Sequence, residues 1–193
     1  HRDLHSFPTR RSSDLHIDSS FGSGLTVPGY GIILHNRGAL FTLDPKSPNV
    51  IAPNKRPFNT LSAAFVMQNN RPLMTVTLMG GDMQAQGIGQ VLVNILDFGA
   101  NLQAATDMAR FRHGQVPNVL NLESQLYALV GARLEAMGHR VVSVNGGMMG
   151  GYQAIMFTPD SGGPGNAGER RPILKGFYRA GSDHRKDGQA AGF

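Results

Sequence analysis

The sequence contains no cysteine and no tryptophan in its 193 residues. Disulfide frameworks, thiolate nucleophiles and cysteine-ligated metals are therefore excluded. Aromatic residues make up only 7% of the chain. Basic residues are scattered, standing close together only at Arg10-Arg11, Lys55-Arg56, Arg110 and Arg112, Arg170-Arg171 and Arg185-Lys186. A nucleic-acid surface combines a basic track with stacking rings. A basic nucleic-acid-binding module is thus an alternative of another class whose one support is the net charge of +5, and no nucleic-acid partner is expected. No apolar run approaches the length of a membrane span. Neither a Gly-x-x-x-x-Gly-Lys phosphate loop nor a Gly-x-Ser-x-Gly elbow is present. The histidines at 16, 35, 113, 139 and 184 never pair at metal-ligand spacing, so neither a metal nor any other cofactor is expected.

Residues 1–15 differ from the rest. They show no helical or strand period and match neither a signal peptide nor a tag. Translated in one frame, a common short-read sequencing adapter gives this segment residue for residue. We read 1–15 as adapter-derived and 16–193 as the protein, with the native N-terminus expected upstream and the compartment left open.

What is present centres on residues 75–98. Thr75, Val76, Thr77 and Leu78 read as a strand, Gly80-Gly81 as a turn that residues with a Cβ avoid, and Val91, Leu92, Ile95 and Leu96 recur with helical spacing. Two readings are open at this turn. One is an ordinary strand-to-helix connection capped by Asp82. The other is an anion-holding turn, in which bare backbone N–H groups lie beside the positive end of a helix dipole.

Around that stretch, residues 25–27 and 31–34 read as a hairpin with a buried second strand, and the four prolines between 44 and 57 require a surface loop. Strands are expected at 63–67, 73–78, 139–144, 152–157 and 175–180, and helices at 84–98, 102–108 and 124–137. The last helix would bury Leu126, Leu129, Val130 and Leu134. The Gly-x-Gly at Gly87 and Gly89 falls inside a helix, where a dinucleotide fingerprint makes no sense. Residues 161–172 read as a flexible loop. This order suggests an α/β (α+β) chain of antiparallel sheet layered with helices rather than a βαβ repeat.

Six motifs occur in a fixed order: Ser20-Phe21-Gly22-Ser23-Gly24; Gly31-Ile32-Ile33-Leu34-His35-Asn36; Asn54-Lys55-Arg56-Pro57; Gly80-Gly81; Ala109-Arg110-Phe111-Arg112-His113; and Gly181-Ser182-Asp183-His184-Arg185 with the closing residues to Phe193. Together they resemble the small subunit of the γ-glutamyltransferase family, over nearly everything after residue 16.

The resemblance implies half of an N-terminal-nucleophile hydrolase αββα sandwich, made from a precursor that cleaves itself. The nucleophile would be an N-terminal Thr whose own amine serves as base. By the family's spacing that Thr falls upstream of Asp18, beyond the adapter boundary, so no threonine of this chain takes the role. The large subunit of the same precursor is the implied partner, and a γ-glutamyl or other acyl amide the implied substrate.

Gly80 and Gly81 match the backbone oxyanion-hole pair. Asn59 and Thr60 fall where two serines bind the substrate α-carboxylate. Asp18 falls where an Asn contacts the substrate amino group, Arg37 where a neutral Gln or Asn often sits, and Leu40 where an Asp pairs with the substrate ammonium. The implied function is cleavage of γ-glutamyl amides such as glutathione through a Thr acyl-enzyme, with a glutaryl (cephalosporin-type) acylase as the alternative within the superfamily.

Overall fold

The computed structural model describes residues 21–160 and 176–191. The adapter-like segment 1–15, Asp18 and the 161–172 loop lie outside them. The chain divides into two compact units, His1–Leu61 and Ser62–Phe193.

In the first unit, β1 (Thr26–Val27) and β2 (Ile32–Ile33) pair antiparallel, with Thr26 opposite Ile33. Ser23 anchors the hairpin by donating from both its amide and its hydroxyl to Leu34 O. The hairpin stands where the sequence places it, but its second strand is exposed rather than buried. Two paired residues per strand make too small a ladder to form an apolar face of their own. A 3-10 turn follows at Arg37–Leu40. The proline-rich loop is closed at its base by a bridge between Thr42 and Val50.

The second unit is built on an antiparallel sheet of order β3-β4-β8-β9, formed by β3 (Ala64–Gln68), β4 (Arg71–Met79), β8 (Gly151–Pro159) and β9 (Gly176–Ser182). Strand alternation puts Met74, Val76 and Leu78 of β4 on one face, directly opposite Met156, Ala154 and Tyr152 of β8. All six are buried. Helix α1 (Met83–Leu96) lays Met83, Val91 and Ile95 on this face, and the short α2 (Leu102–Asp107) adds Leu102 and Ala105. Each full burial of such a side chain contributes about 1.5–3 kcal/mol. Gly87 explains itself here, because a Cβ at that position would come within 2.6 Å of Leu78 Cδ1. It is the point where α1 crosses β4. On the opposite face Phe65, Met79, Ile155 and Tyr178 are exposed.

A second sheet of order β5-β6-β7 comprises β5 (Phe111–Gly114), β6 (Val119–Glu123) and β7 (Val141–Val144). The sequence reading missed β5 and β6. It also favoured antiparallel sheet over a βαβ repeat, whereas β6, helix α3 (Ser124–Ala136) and β7 form one βαβ unit, with β6 and β7 parallel. Helix α3 packs on β6 and β7 without Leu129, which is 80% exposed. Leu126, Val130 and Leu134, spaced four apart, make the partly buried stripe instead.

Helix α1 also seals the outer edge of β5. Gln86 exchanges both amide hydrogen bonds with the backbone of His113, and Gln90 does the same with Phe111. Two side chains one helical turn apart thus stand in for a missing strand. Replacing both glutamines with alanine is expected to cost about 2 kcal/mol, since four bonds are exchanged for bonds to water at a partly exposed edge. Urea unfolding measures the loss, and faster exchange of the Phe111 and His113 amides locates it.

Candidate active site

Gly80 and Gly81 join β4 to α1 with φ of 132° and 57°. Their carbonyls accept from Met83 N at 3.1 Å and Gln84 N at 3.0 Å, which starts the helix. Their own N–H groups have no acceptor among the described residues. The capping reading of Asp82 fails. This residue already has helical torsions, makes no side-chain cap bond, and directs its carboxylate to Arg112 Nη2 at 3.6 Å. The turn therefore presents two adjacent amide donors at the positive end of a four-turn helix, uncapped, which is an arrangement suited to a developing oxyanion.

The wall behind this turn is backbone. A Cβ on Gly80 would lie 2.9 Å from Gly150 Cα. Gly150, at φ 76°, ends the short 3-10 segment Gly146–Met148 and its cap Met149, and precedes β8.

Beneath it lies a buried ionic network that the sequence reading did not foresee. Arg110 and Asp183, 1% and 0% exposed, pair at 2.6 Å. Arg110 also donates to Met149 O and to Thr106 O and Oγ1. Asp183 accepts from Tyr152 N and Arg185 N. Arg185 grips both carboxylate oxygens of Glu123 at 2.6 Å and reaches Asp183 Oδ1 at 3.1 Å. Burial pushes the Asp183 carboxyl up, but the Arg185 and Tyr152 amides and the Arg110 charge outweigh it and hold it below the usual carboxylate range. Glu123 is held low in the same way, burial being opposed by hydrogen bonds from the Arg185 side chain and the Arg110 amide. The two motifs that carry Arg110 and Asp183 were visible in the sequence, but their pairing was not. His184 at the surface contacts Asp107 at 3.0 Å.

In the first unit the structure gathers three of the predicted residues. Arg37, 7% exposed, donates through Nη1 to Thr60 Oγ1 at 2.6 Å, which leaves the Thr60 hydroxyl proton available to donate elsewhere. Asn59 Oδ1 accepts from Leu61 N. Asn49, which the sequence did not single out, ties the two segments together by donating to Leu40 O at 2.6 Å and accepting from Phe58 N at 3.1 Å. Its place in the proline-rich loop gave no sign of that role.

The family profile described as gamma-glutamyltranspeptidase matches residues 15–193. The chain belongs to the gamma-glutamyltranspeptidase family. Among curated proteins it is 32% identical over 177 residues to the oxamate amidohydrolase proenzyme of Klebsiella pneumoniae, covering 90% of this chain and 31% of that protein. The chain therefore spans under a third of the length of such relatives, which are proenzymes. Among solved structures it is similar to the gamma-glutamyltranspeptidase of Helicobacter pylori, solved as a mutant, at a TM-score of 0.75 and 27% identity over 89% of this chain and 90% of that one. It is also similar to the cephalosporin acylase of Bacillus halodurans, at a TM-score of 0.72 and 35% identity over 88% of this chain and 29% of that one. The fold is accordingly that of the N-terminal-nucleophile hydrolases. Among the described residues no helix is long and apolar enough to cross a membrane.

Proposed function

We propose that this chain is the small-subunit portion of an amide-cleaving enzyme of the family, whose nucleophilic Thr lies outside 16–193. In the parent, the Thr Oγ attacks the amide carbonyl and gives its proton to its own α-amine. The tetrahedral oxyanion is held by the Gly80 and Gly81 N–H groups. Collapse breaks the C–N bond, the leaving amine takes the proton, and water then releases the acyl group as the acid. The observation that carries this reading is the pair of free N–H groups on the uncapped turn at the head of α1. The exposed apolar residues Phe65, Met79, Ile155 and Tyr178 on the sheet face opposite α1 support a large-subunit partner whose sheet would cover them.

Asn59 and Thr60 are assigned to the substrate carboxylate. Leu40 offers an ammonium no ionic partner, and Arg37 adds a positive charge, so acyl groups that keep the carboxylate and lack the amine are favoured, as in glutaryl amides. Asp18 offsets this in part if it faces the substrate. A misplaced charge is worth about 1–3 kcal/mol, roughly 5- to 150-fold, which offsets a preference for the ammonium-bearing γ-glutamyl group rather than creating a strong one for glutaryl. The parent is expected to hydrolyse more than it transfers and to separate γ-glutamyl from glutaryl anilides by less than about tenfold in kcat/KM, while residues 16–193 alone release no product. A strong γ-glutamyl preference that survives Asp18→Asn refutes the specificity assignment, and turnover by the isolated chain refutes the placement of the nucleophile.

A further inference from the structure

We infer that Arg110 and Asp183 are positioning residues for the Gly80–Gly81 turn, acting through the backbone of Gly150; the inference rests on the oxyanion role proposed above for that turn. The geometry is specific. Gly150 stands between two backbone groups, and each is bonded by one member of the buried pair. On one side Met149 O accepts from Arg110 Nη1 at 2.9 Å. On the other, Tyr152 N donates to Asp183 Oδ2 at 3.0 Å, and Asp183 N returns a bond to Tyr152 O at 3.0 Å. The pair itself closes at 2.6 Å, so the two anchors form one rigid brace spanning Gly150.

Gly150 in turn leaves no slack against the strand that ends in the turn. A Cβ there would lie 2.5 Å from both Met79 O and Leu78 Cδ2, and Gly80 is packed so that a Cβ would reach Gly150 Cα at 2.9 Å. A shift of Gly150 is therefore transmitted to the Gly80 amide through direct backbone contact, with no flexible side chain between to absorb it. Around the brace, Thr106 fixes the Arg110 guanidinium, and Arg185, locked by Glu123, fixes the far oxygen of Asp183. A pair serving only cohesion has no need to bond both ends of the short Gly150–Gly151 step. Oxyanion stabilisation does need its donors held to a fraction of an ångström, since a misplacement near 1 Å costs about a hundredfold.

The test uses the full-length precursor carrying Arg110→Met with Asp183→Leu, an apolar replacement of both partners that leaves no unpaired buried charge. The expected result is a folded, processed enzyme whose kcat falls about 10–100-fold with KM held within about twofold, and whose Met83 and Gln84 amides, bonded to the Gly80 and Gly81 carbonyls, exchange faster while those of β6 and α3 do not. Unchanged kcat and unchanged exchange in the folded variant overturn the inference. Should the double variant fail to fold, Arg110→Lys decides. It keeps the charge but lacks the planar fork that reaches Asp183 and Met149 O together, so kcat is expected to fall several-fold with the same local exchange. No effect on either readout overturns the inference. A wild-type precursor that cleaves no amide sinks the proposed function, and the exchange data then still decide whether the pair positions the turn.

Discussion

Asp183→Ala is expected to cost the fold about 3–5 kcal/mol, the usual consequence of removing one member of a buried ion pair. The change leaves the buried Arg110, 1% exposed, without its carboxylate, takes the acceptor from Tyr152 N, and removes one of the two carboxylates gripped by Arg185. For a chain of this size that loss corresponds to a fall of about 10 °C in Tm. The same network sets the response to acid. The folded carboxyls of Asp183 and Glu123 are held below their ordinary values, so between the folded and unfolded pKa the unfolded chain binds more protons. Stability then rises with pH through that interval and is fully present above the unfolded values of about 3.9 and 4.3. Denaturation followed from pH 3 to 7 should show a plateau above about pH 5 and a steep loss below about pH 4. Asp183→Ala should lower the plateau and flatten the acid slope, because one of the two depressed carboxyls is gone. A variant within 1 kcal/mol of the parent chain, with an unchanged slope, would mean that the pair contributes little.

The sequence revealed the Gly80–Gly81 turn because local chemistry alone dictates it. Period-two alternation at Thr75, Val76, Thr77 and Leu78 gives way to helical spacing at Val91 and Ile95, and two glycines mark the change of backbone region. The proline-rich loop was legible for the same kind of reason, since Pro45, Pro48, Pro53 and Pro57 forbid any regular ladder. What escaped depends on partners distant in sequence. Phe111–Gly114 is a strand because β6 pairs with one edge and Gln86 and Gln90 satisfy the other, and nothing in Phe-Arg-His-Gly announces either. Composition showed that Ile32, Ile33 and Leu129 are apolar, but whether a layer covers an apolar residue is a property of the fold, and these three are exposed. The site divides along the same line. Arg37, Asn59 and Thr60 came from a resemblance and fall together in one unit. Asn49, which links their segments, and the Arg110–Asp183 brace were invisible because a buried hydrogen bond leaves no periodicity behind.

The two glycines of the turn are expected to respond very differently to substitution, with Gly80→Ala lowering kcat of the parent about a hundredfold or more and Gly81→Asn less than tenfold. At Gly80 the φ of 132° lies outside the left-handed helical region that other residues visit, and the added Cβ would meet the Gly150 Cα at 2.9 Å. Both are backbone features that no rotamer relieves, so the peptide plane must rotate and carry its N–H away from the oxyanion position. Loss of a single oxyanion donor costs about 100–1,000-fold in kcat. At Gly81 the φ of 57° is the left-handed helical value that asparagine adopts readily, and a Cβ would meet nothing within 4 Å. The strain there is about 1 kcal/mol or less, and the N–H keeps its direction. Both variants retain every side chain assigned to substrate carboxylate binding, so KM should change little in either. Steady-state kinetics on processed enzyme distinguishes the two positions. Equal losses at Gly80 and Gly81 would show that the turn tolerates or rejects any Cβ alike, and a Gly80→Ala enzyme with near-normal kcat would remove that amide from the oxyanion hole.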